Sequence, residues 1–349
     1  MKKLRVFMVV AGLIFGVLAA LMSVWGNPAN MGVCIACFYR DITGALGFHR
    51  AEVVQYIRPE IIGIVLGAFI AALIFKDFRV RGGSGTLLRF FLGMFFMVGA
   101  LVFLGCPVRA VLRLAGGDLN GITALLGVIA GALAGIYFLK KGFNLGRATA
   151  VKKAAGWIMP LTMVVLLVFL LAKPTFLFFS EKGPGSMHAA LGLSLAAGLI
   201  IGVLAQRTRM CFVGGWRDLF LVKDTYLFSG IAAFFVGALV VNLITSNVHI
   251  GFVDQPIAHN MHLWNFLGMF LAGLTATLLG GCPLRQTVLA SEGDTDAAMT
   301  IFGLIAGAAI CHNFMIAAGP KGIATFSAAA VIVGIIFTCA VGFLMSREA

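Results

Sequence analysis

Gly281-Cys282-Pro283-Leu284-Arg285 has an echo 176 positions earlier, Gly105-Cys106-Pro107-Val108-Arg109. Each copy is followed at the same offset by Gly-Asp: Gly117-Asp118 after the first, Gly293-Asp294 after the second. A second repeated pair lies upstream, Cys34 with Arg40-Asp41 and Cys211 with Arg217-Asp218, at an offset of 177. Scarce residue types that recur with their companions at nearly one period mark an internal duplication. The rest of the chain is read outward from these four Cys/Arg segments.

Apolar residues make up 61% of the 349 and charged residues 11%. Several apolar runs approach or exceed the roughly 20 residues that cross a bilayer, so an all-α polytopic membrane protein is expected. The start, Met1-Lys2-Lys3-Leu4-Arg5 before an apolar run from Val6 to Trp25, imitates a signal peptide. The run is long and no small-x-small cleavage site follows, so it reads as an uncleaved first span. The net charge of +13 does not point to nucleic acid, because no basic patch is interleaved with aromatic residues. It fits basic cytoplasmic loops and the handling of anions. Seven cysteines match no zinc-site spacing, so no metal and no cofactor is expected. No Gly-x-x-x-x-Gly-Lys-[Ser/Thr] loop is present, which argues against direct ATP drive and against an enzyme of that class.

Hydropathy with caps and breakers places spans near 6–25, 56–76, 88–105, 121–139 and 157–173, then 187–205, 225–246, 263–281, 297–317 and 324–345. With the N-terminus inside, the inner segments gather most of the Lys and Arg, among them Arg5, Lys76, Arg79, Arg81, Lys140, Lys141, Arg209 and Arg347, the bias that sets orientation. Both termini are then cytoplasmic. Five spans per copy is an odd number, so the second copy enters the membrane upside down. The expected architecture is an inverted 5+5 repeat of about ten spans, residues 1–175 and 185–349, with four re-entrant Cys-bearing segments that meet near the midplane. Inverted repeats build many transporters and put the substrate site between the halves on broken helices. Glycines at helical spacing, such as Gly63/Gly67 and Gly127/Gly131/Gly135, read as close helix packing in lipid. His249, His259 and His262, in one outer loop with Asp254, read as solvated loop residues.

In Gly-Cys-Pro-x-Arg, proline suits the first helical position, where its missing N–H is not needed, so the cysteine falls at the N-cap. The helix end then directs partial positive charge at the thiol, and Arg109 or Arg285 stands one turn on. Arginine within a membrane is costly and marks a pathway or a paired site; Asp118 and Asp294, or Asp41 and Asp218, are the candidate partners. A soft thiol at a helix N-terminus beside a cation suits a small sulfur- or selenium-containing anion, whose terminal chalcogen approaches sulfur while its oxygens meet N–H donors. The candidate substrate path is therefore Cys34, Cys106, Cys211 and Cys282 with Arg40, Arg109, Arg217 and Arg285. Cys37, which makes a Cys-x-x-Cys with Cys34, is accessory and suggests redox or relay work; its repeat counterpart is Gly214. His312-Asn313 is an intramembrane polar pair that suits a hydrogen bond between helices ahead of proton transfer, and His312 is a further accessory candidate. Cys311 and Cys339 have no repeat partner and are assigned to packing.

Three rivals belong to other classes. A membrane thiol–disulfide oxidoreductase would use Cys34/Cys37 but leaves the arginines without a role. A general small-anion channel would have no need of the thiols. A structural scaffold leaves the intramembrane arginines unexplained.

The two Gly-Cys-Pro-x-Arg copies and the Cys34 and Cys211 segments resemble the YeeE/YedE sulfur-transport family, over about residues 6–317. The resemblance implies Cys-centred motifs on short re-entrant helices meeting in an hourglass, and uptake across a bacterial inner membrane of a small sulfur anion such as thiosulfate. It further implies a relay past Cys106, Cys282, Cys34 and Cys211 by weak S–H···S contacts. The fused two-repeat form and Cys37 are similar to the YedE branch, proposed as a selenium transporter. The expected partners are that inorganic anion, the lipid bilayer and a small cytoplasmic thiol-bearing accessory protein, with no nucleic acid.

Overall fold

The computed structural model describes residues 2–346; residue 1 and residues 347–349, which include Arg347 and the outer ends of both repeats read from the sequence, lie outside the described residues. Fourteen α-helices follow in order: α1 (Lys2–Val24), α2 (Ile35–Ala45), α3 (Pro59–Ile74), α4 (Thr86–Phe103), α5 (Pro107–Ala115), α6 (Asn120–Lys140), α7 (Ile158–Ala172), α8 (Leu191–Thr208), α9 (Gly214–Leu221), α10 (Tyr226–Ile244), α11 (His262–Leu279), α12 (Pro283–Ser291), α13 (Thr295–Asn313) and α14 (Ser327–Leu344). A two-residue antiparallel ribbon joins β1 (Arg81–Gly82) to β2 (Thr149–Ala150). Matched in order, α1–α7 and α8–α14 share one rhythm, with a short helix second and fifth. Each short helix follows one of the four duplicated cysteines.

Nine helical stretches among the described residues are long and apolar enough to cross a membrane. The tenth span read from the sequence, 56–76, is shorter than expected, because helix begins only at Pro59 and α3 has 16 residues. At 1.5 Å per residue it reaches roughly 24 Å, against a hydrocarbon core of about 30 Å. Tyr56 and Ile57 raised the hydropathy there, yet they are non-helical and buried in protein.

The long helices interleave across the duplication: α1 packs on α10, α3 on α8, α4 on α13, α6 on α11, and α4 also on α11. Exchanging the first seven helices for the last seven turns α1 on α10 into α8 on α3 and α4 on α13 into α11 on α6, and returns α4 on α11 to itself. Glycines fix the distances and the directions. There is no room for a Cβ at Gly12 against Gly230, at Gly16 against Phe234, at Gly67 against Leu199 or at Gly131 against Phe270. Such close backbone approach supplies the dispersion contact that holds helices together where lipid is as apolar as the side chains. Gly12 beside Gly230 and Gly16 beside Phe234 make α1 and α10 parallel, and Gly127 beside Phe266 with Gly131 beside Phe270 does the same for α6 and α11. The inverted repeat expected from the sequence would give α1 and α10 this shared direction, and two halves entering a membrane in the same sense would oppose them. α7 and α14 depart from the pattern: α7 lies on α3, whereas α14 lies on α4 and α11.

Candidate functional site

The two Gly-Cys-Pro-x-Arg segments fold alike. α4 closes on Leu104 and α11 on Gly280, both left-handed, with φ of 66° and 82°. This C-cap reverses the chain sharply, and the next residues enter the short helices α5 and α12. Pro107 and Pro283 take the first helical position, and Cys106 and Cys282 are extended N-caps whose thiols make no capping hydrogen bond. The leading glycine has a steric reason: a Cβ on Gly105 would lie 2.8 Å from Cδ of Arg109, and one on Gly281 would lie 2.8 Å from Cγ of Arg285. Each arginine stem therefore folds back over its own glycine, beside the cysteine.

The first centre is sealed. Cys34 caps α2, accepting from the Cys37 N–H at 3.4 Å. Its Sγ stands 2.8 Å from Cys37 Sγ and 3.7 Å from Cys106 Sγ. Arg109 is spread over this group: Nη1 donates to Leu104 O and to Cys37 Sγ, Nε to Asn30 O at 2.9 Å, and Nη2 to Ile257 O at 3.1 Å. Behind it Asp41 is gripped by two guanidiniums, with Arg40 Nη2 at 2.6 Å from Oδ1 and Arg58 Nε at 2.7 Å from Oδ2. The remaining N–H groups of Arg58 reach Met187 O and Pro184 O. Arg113 meets Asp118 at 2.6 Å, and Asp118 also accepts from Asn120. Arg58, Arg109 and Arg113 have no exposed surface and Arg40 has 2%. Charges so deeply buried need a counter-charge or hydrogen bonds: Arg40, Arg58 and Arg113 have carboxylates and Arg109 has carbonyls, while Arg113 Nη2 is buried with no partner.

The second centre has two sulfurs. Cys211 Sγ accepts from the N–H of Gly214 at 3.1 Å and of Cys282 at 3.2 Å, while Cys282 Sγ accepts from the N–H of Phe212 at 3.4 Å. Each sulfur is thus cradled by backbone N–H groups of the other's segment. The Gly214 donor repeats the Cys37 donor of the first centre, and Gly214 supplies no third thiol. Arg217 pairs with Asp218 at 2.8 Å, as Arg40 does with Asp41, but both partners keep about a quarter of their side chains exposed. Arg285 approaches Glu292 at 3.6 Å. Gln286 donates to Leu279 O at 3.0 Å, the counterpart of the Phe103 carbonyl that Arg113 takes in the first centre.

A cavity stands near each centre. One of about 140 Å3 lies beside the C-terminal end of α1 and is lined by neutral polar groups, including Asn30, Asn242, His249 and Gln255. Asn30, whose carbonyl holds Arg109, connects it to the first centre. The other, about 200 Å3, lies at the C-terminal ends of α3 and α8 and is lined by Arg79, Arg81, Arg209, Arg285, Asp77 and Glu292.

The structure thus brings the eight sequence-named path residues into two groups of sulfur and guanidinium, and among the described residues no sulfur contact joins the groups. Tyr39 OH to Thr287 Oγ1, 3.0 Å, ties α2 to α12 between them. The expected partners of Arg109 and Arg285 are corrected. Asp118 belongs to Arg113, and Asp294 caps α13 and pairs with Arg81. Arg109 takes carbonyls instead, because three diverge around it, and Arg285 has Glu292. His312 lies in the last turn of α13, its ring 4.5 Å from His49, and the helix-to-loop hydrogen bond is made by Asn313 to Phe48 O. His259 is buried on Val102 O rather than solvated. Arg58, Arg113, Asn30 and Glu292 escaped the sequence reading. Arg58 and Arg113 carried a signal, as intramembrane arginines next to a span start and one turn past Arg109; Asn30 acts through its backbone and carried none.

A family described as sulphur transport matches residues 2–134 and 207–346. The thiosulfate transporter TsuA of Spirochaeta thermophila is 37% identical over 113 residues, 32% of this chain and 33% of that protein. The thiosulfate transporter TsuA of Escherichia coli K12 is 26% identical over 128 residues, 36% of each chain. The matches span about a third of the length of these curated relatives.

Proposed function

The chain belongs to the sulphur transport (YeeE/YedE) family, and from that premise we propose that it is a membrane transporter for a small sulfur oxyanion of the thiosulfate type. In this reading residues 1–175 and 185–349 are two inverted halves in a bacterial inner membrane, with both chain ends on the cytoplasmic side. The anion enters by the amide-lined cavity, meets Cys34, Cys37 and Cys106 under Arg109, passes to Cys211 and Cys282, and leaves past Arg285 and Arg217. Desolvating a dianion is the main barrier. It is offset by S–H and helix N-terminal N–H donors and by guanidiniums, none of which binds tightly, since release needs weak successive sites. A thiosulfate carries both recognisable parts: a terminal sulfur for the thiols and oxygens for the N–H donors. A cytoplasmic thiol-bearing protein that consumes the anion would make uptake one-way.

The observation that carries this reading is the repetition of one geometry, a helix-capping thiol freed from capping with an arginine stem folded onto the preceding glycine, at both centres. Uptake of labelled thiosulfate, sulfate, selenite and selenide into proteoliposomes tests it. Thiosulfate should outrun sulfate by about tenfold or more, a difference of about 1.4 kcal/mol in barrier. Equal uptake of sulfate would replace the reading with a general anion pore, and preference for a selenium species would move the substrate to that chalcogen. A second reading, thiol–disulfide exchange, draws on the 2.8 Å between Cys34 and Cys37. It requires that a quinone oxidise the pair in the purified protein while thiosulfate uptake is absent.

A further inference from the structure

The arginine-lined cavity at the ends of α3 and α8 is not explained by the sulfur path alone. Four guanidiniums line it, Arg79, Arg81, Arg209 and Arg285, against the carboxylates of Asp77 and Glu292. Two of these charges are already satisfied by neighbours. Arg81 meets Asp294 at 2.9 Å, and Asp77 is held by Arg207 at 2.7 Å and by Gln206 at 3.1 Å. Among the described residues Arg79 and Arg209 have no carboxylate partner, and Arg285 has Glu292 only at 3.6 Å, with Nη1 buried and making no hydrogen bond. The lining carries an excess of two positive charges, which balances the charge of a dianion.

The cavity is also joined to the second centre through Arg285. The arginine's stem covers Gly281, and a Cβ at Gly281 would lie 3.7 Å from Cys211 Sγ. One side chain therefore has its root beside the sulfurs and its head in the cavity. The other cavity has no such charge, since its lining is serine, asparagine, histidine, glutamine and apolar residues. The two cavities differ in kind.

We propose that this cavity is a built binding site for a small divalent oxyanion, in which Arg285 exchanges its long contact with Glu292 for the anion while Arg79 and Arg209 close around it. The proposal rests on the transport reading for its role, as the site that receives the anion from Cys211 and Cys282. Its chemistry stands apart from that role. Guanidinium forks match the oxygens of sulfate, thiosulfate or phosphate, and the open rim keeps the site weak enough to release.

The test uses the full-length protein and the double variant Arg79→Gln/Arg209→Gln, whose side chains hold no ion pair among the described residues. Equilibrium binding of labelled thiosulfate, with inorganic phosphate as competitor, is measured on both in detergent. The double variant should bind about tenfold or more weakly, the loss of about 1.4 kcal/mol or more expected for two charge-assisted partners. In proteoliposomes, half-saturation measured from the face bearing these arginines should rise by about the same factor, and from the opposite face far less. Unchanged binding and unchanged half-saturation in the double variant would overturn the site. Weakened binding in the variant, in a wild type that moves no thiosulfate, would uphold the anion site and defeat the transport reading instead.

Discussion

The first and second cysteine centres share a backbone, a folded-back arginine stem and an adjacent Arg–Asp pair, and differ in how tightly these are enclosed. In the first, three sulfurs lie beneath an Arg109 whose nitrogens are all committed to carbonyls and sulfur, and Asp41 binds two buried arginines. In the second, two sulfurs hold each other's backbone N–H groups, while Arg217 and Arg285 keep partial exposure and Arg285 has only a long contact with Glu292. Duplication preserved what the local chain dictates, namely the reversed turn, the proline-started helix and the glycine under the arginine. It left the outer shell free to diverge. Under the proposed function the rigid centre would select and the loose one would release.

The comparison breaks most readily at the carboxylates. Asp41→Asn leaves two buried guanidiniums without a counter-charge, which should cost about 3–5 kcal/mol; Asp218→Asn exposes a half-buried pair to solvent and should cost about 1 kcal/mol or less. Thermal unfolding of the purified proteins reads the difference as a large fall in Tm for the first and a small one for the second. Equal falls would mean that the two centres are equally rigid.

Arginine geometry gives the next contrast. Arg109→Lys cannot reach three diverging carbonyls with one ammonium, so uptake per folded protein should fall by about a hundredfold, the loss of two hydrogen bonds to a charged group. Arg285→Lys keeps a point charge near Glu292 and should cost about fivefold or less. A reversal of that order would assign selection to the second centre.

The smallest effect concerns the third sulfur. Cys37→Gly gives the first centre the composition of the second, and because a thiol is a weak donor uptake should stay within about threefold of wild type. A collapse as complete as that of a path cysteine would make three sulfurs a requirement, and the resemblance between the centres would end at the backbone.

What was legible in the sequence follows the same line. Cys-Pro after glycine announces an N-cap by local chemistry, since proline's fixed φ and absent N–H admit few other placements, and Cys106 and Cys282 stand there. The spans were legible because each long helix carries its own apolar signal. The start of α3 was not, since hydropathy records burial and not helicity, and Tyr56 and Ile57 are buried without being helical. Ion-pair partners were legible only when adjacent, as with Arg40-Asp41 and Arg217-Asp218. Arg58 on Asp41, Glu292 on Arg285 and the Asn30 carbonyl on Arg109 depend on how helices meet, and no spacing rule carries that. The excess of positive charge was visible from composition, but its concentration at one cavity was not, because Arg79, Arg209 and Arg285 are far apart in the chain.

Under the proposed function an anion passes both centres by way of the thiols of the N-cap residues Cys106 and Cys282. Labelled thiosulfate uptake into proteoliposomes, with wild type beside Cys106→Ser and Cys282→Ser, tests it directly. Each variant should fold, because neither thiol caps its helix, and uptake should fall by about tenfold or more in both. Uptake that survives at the wild-type rate in either variant would contradict the account, since an anion that ignores one of the two thiols does not travel by them.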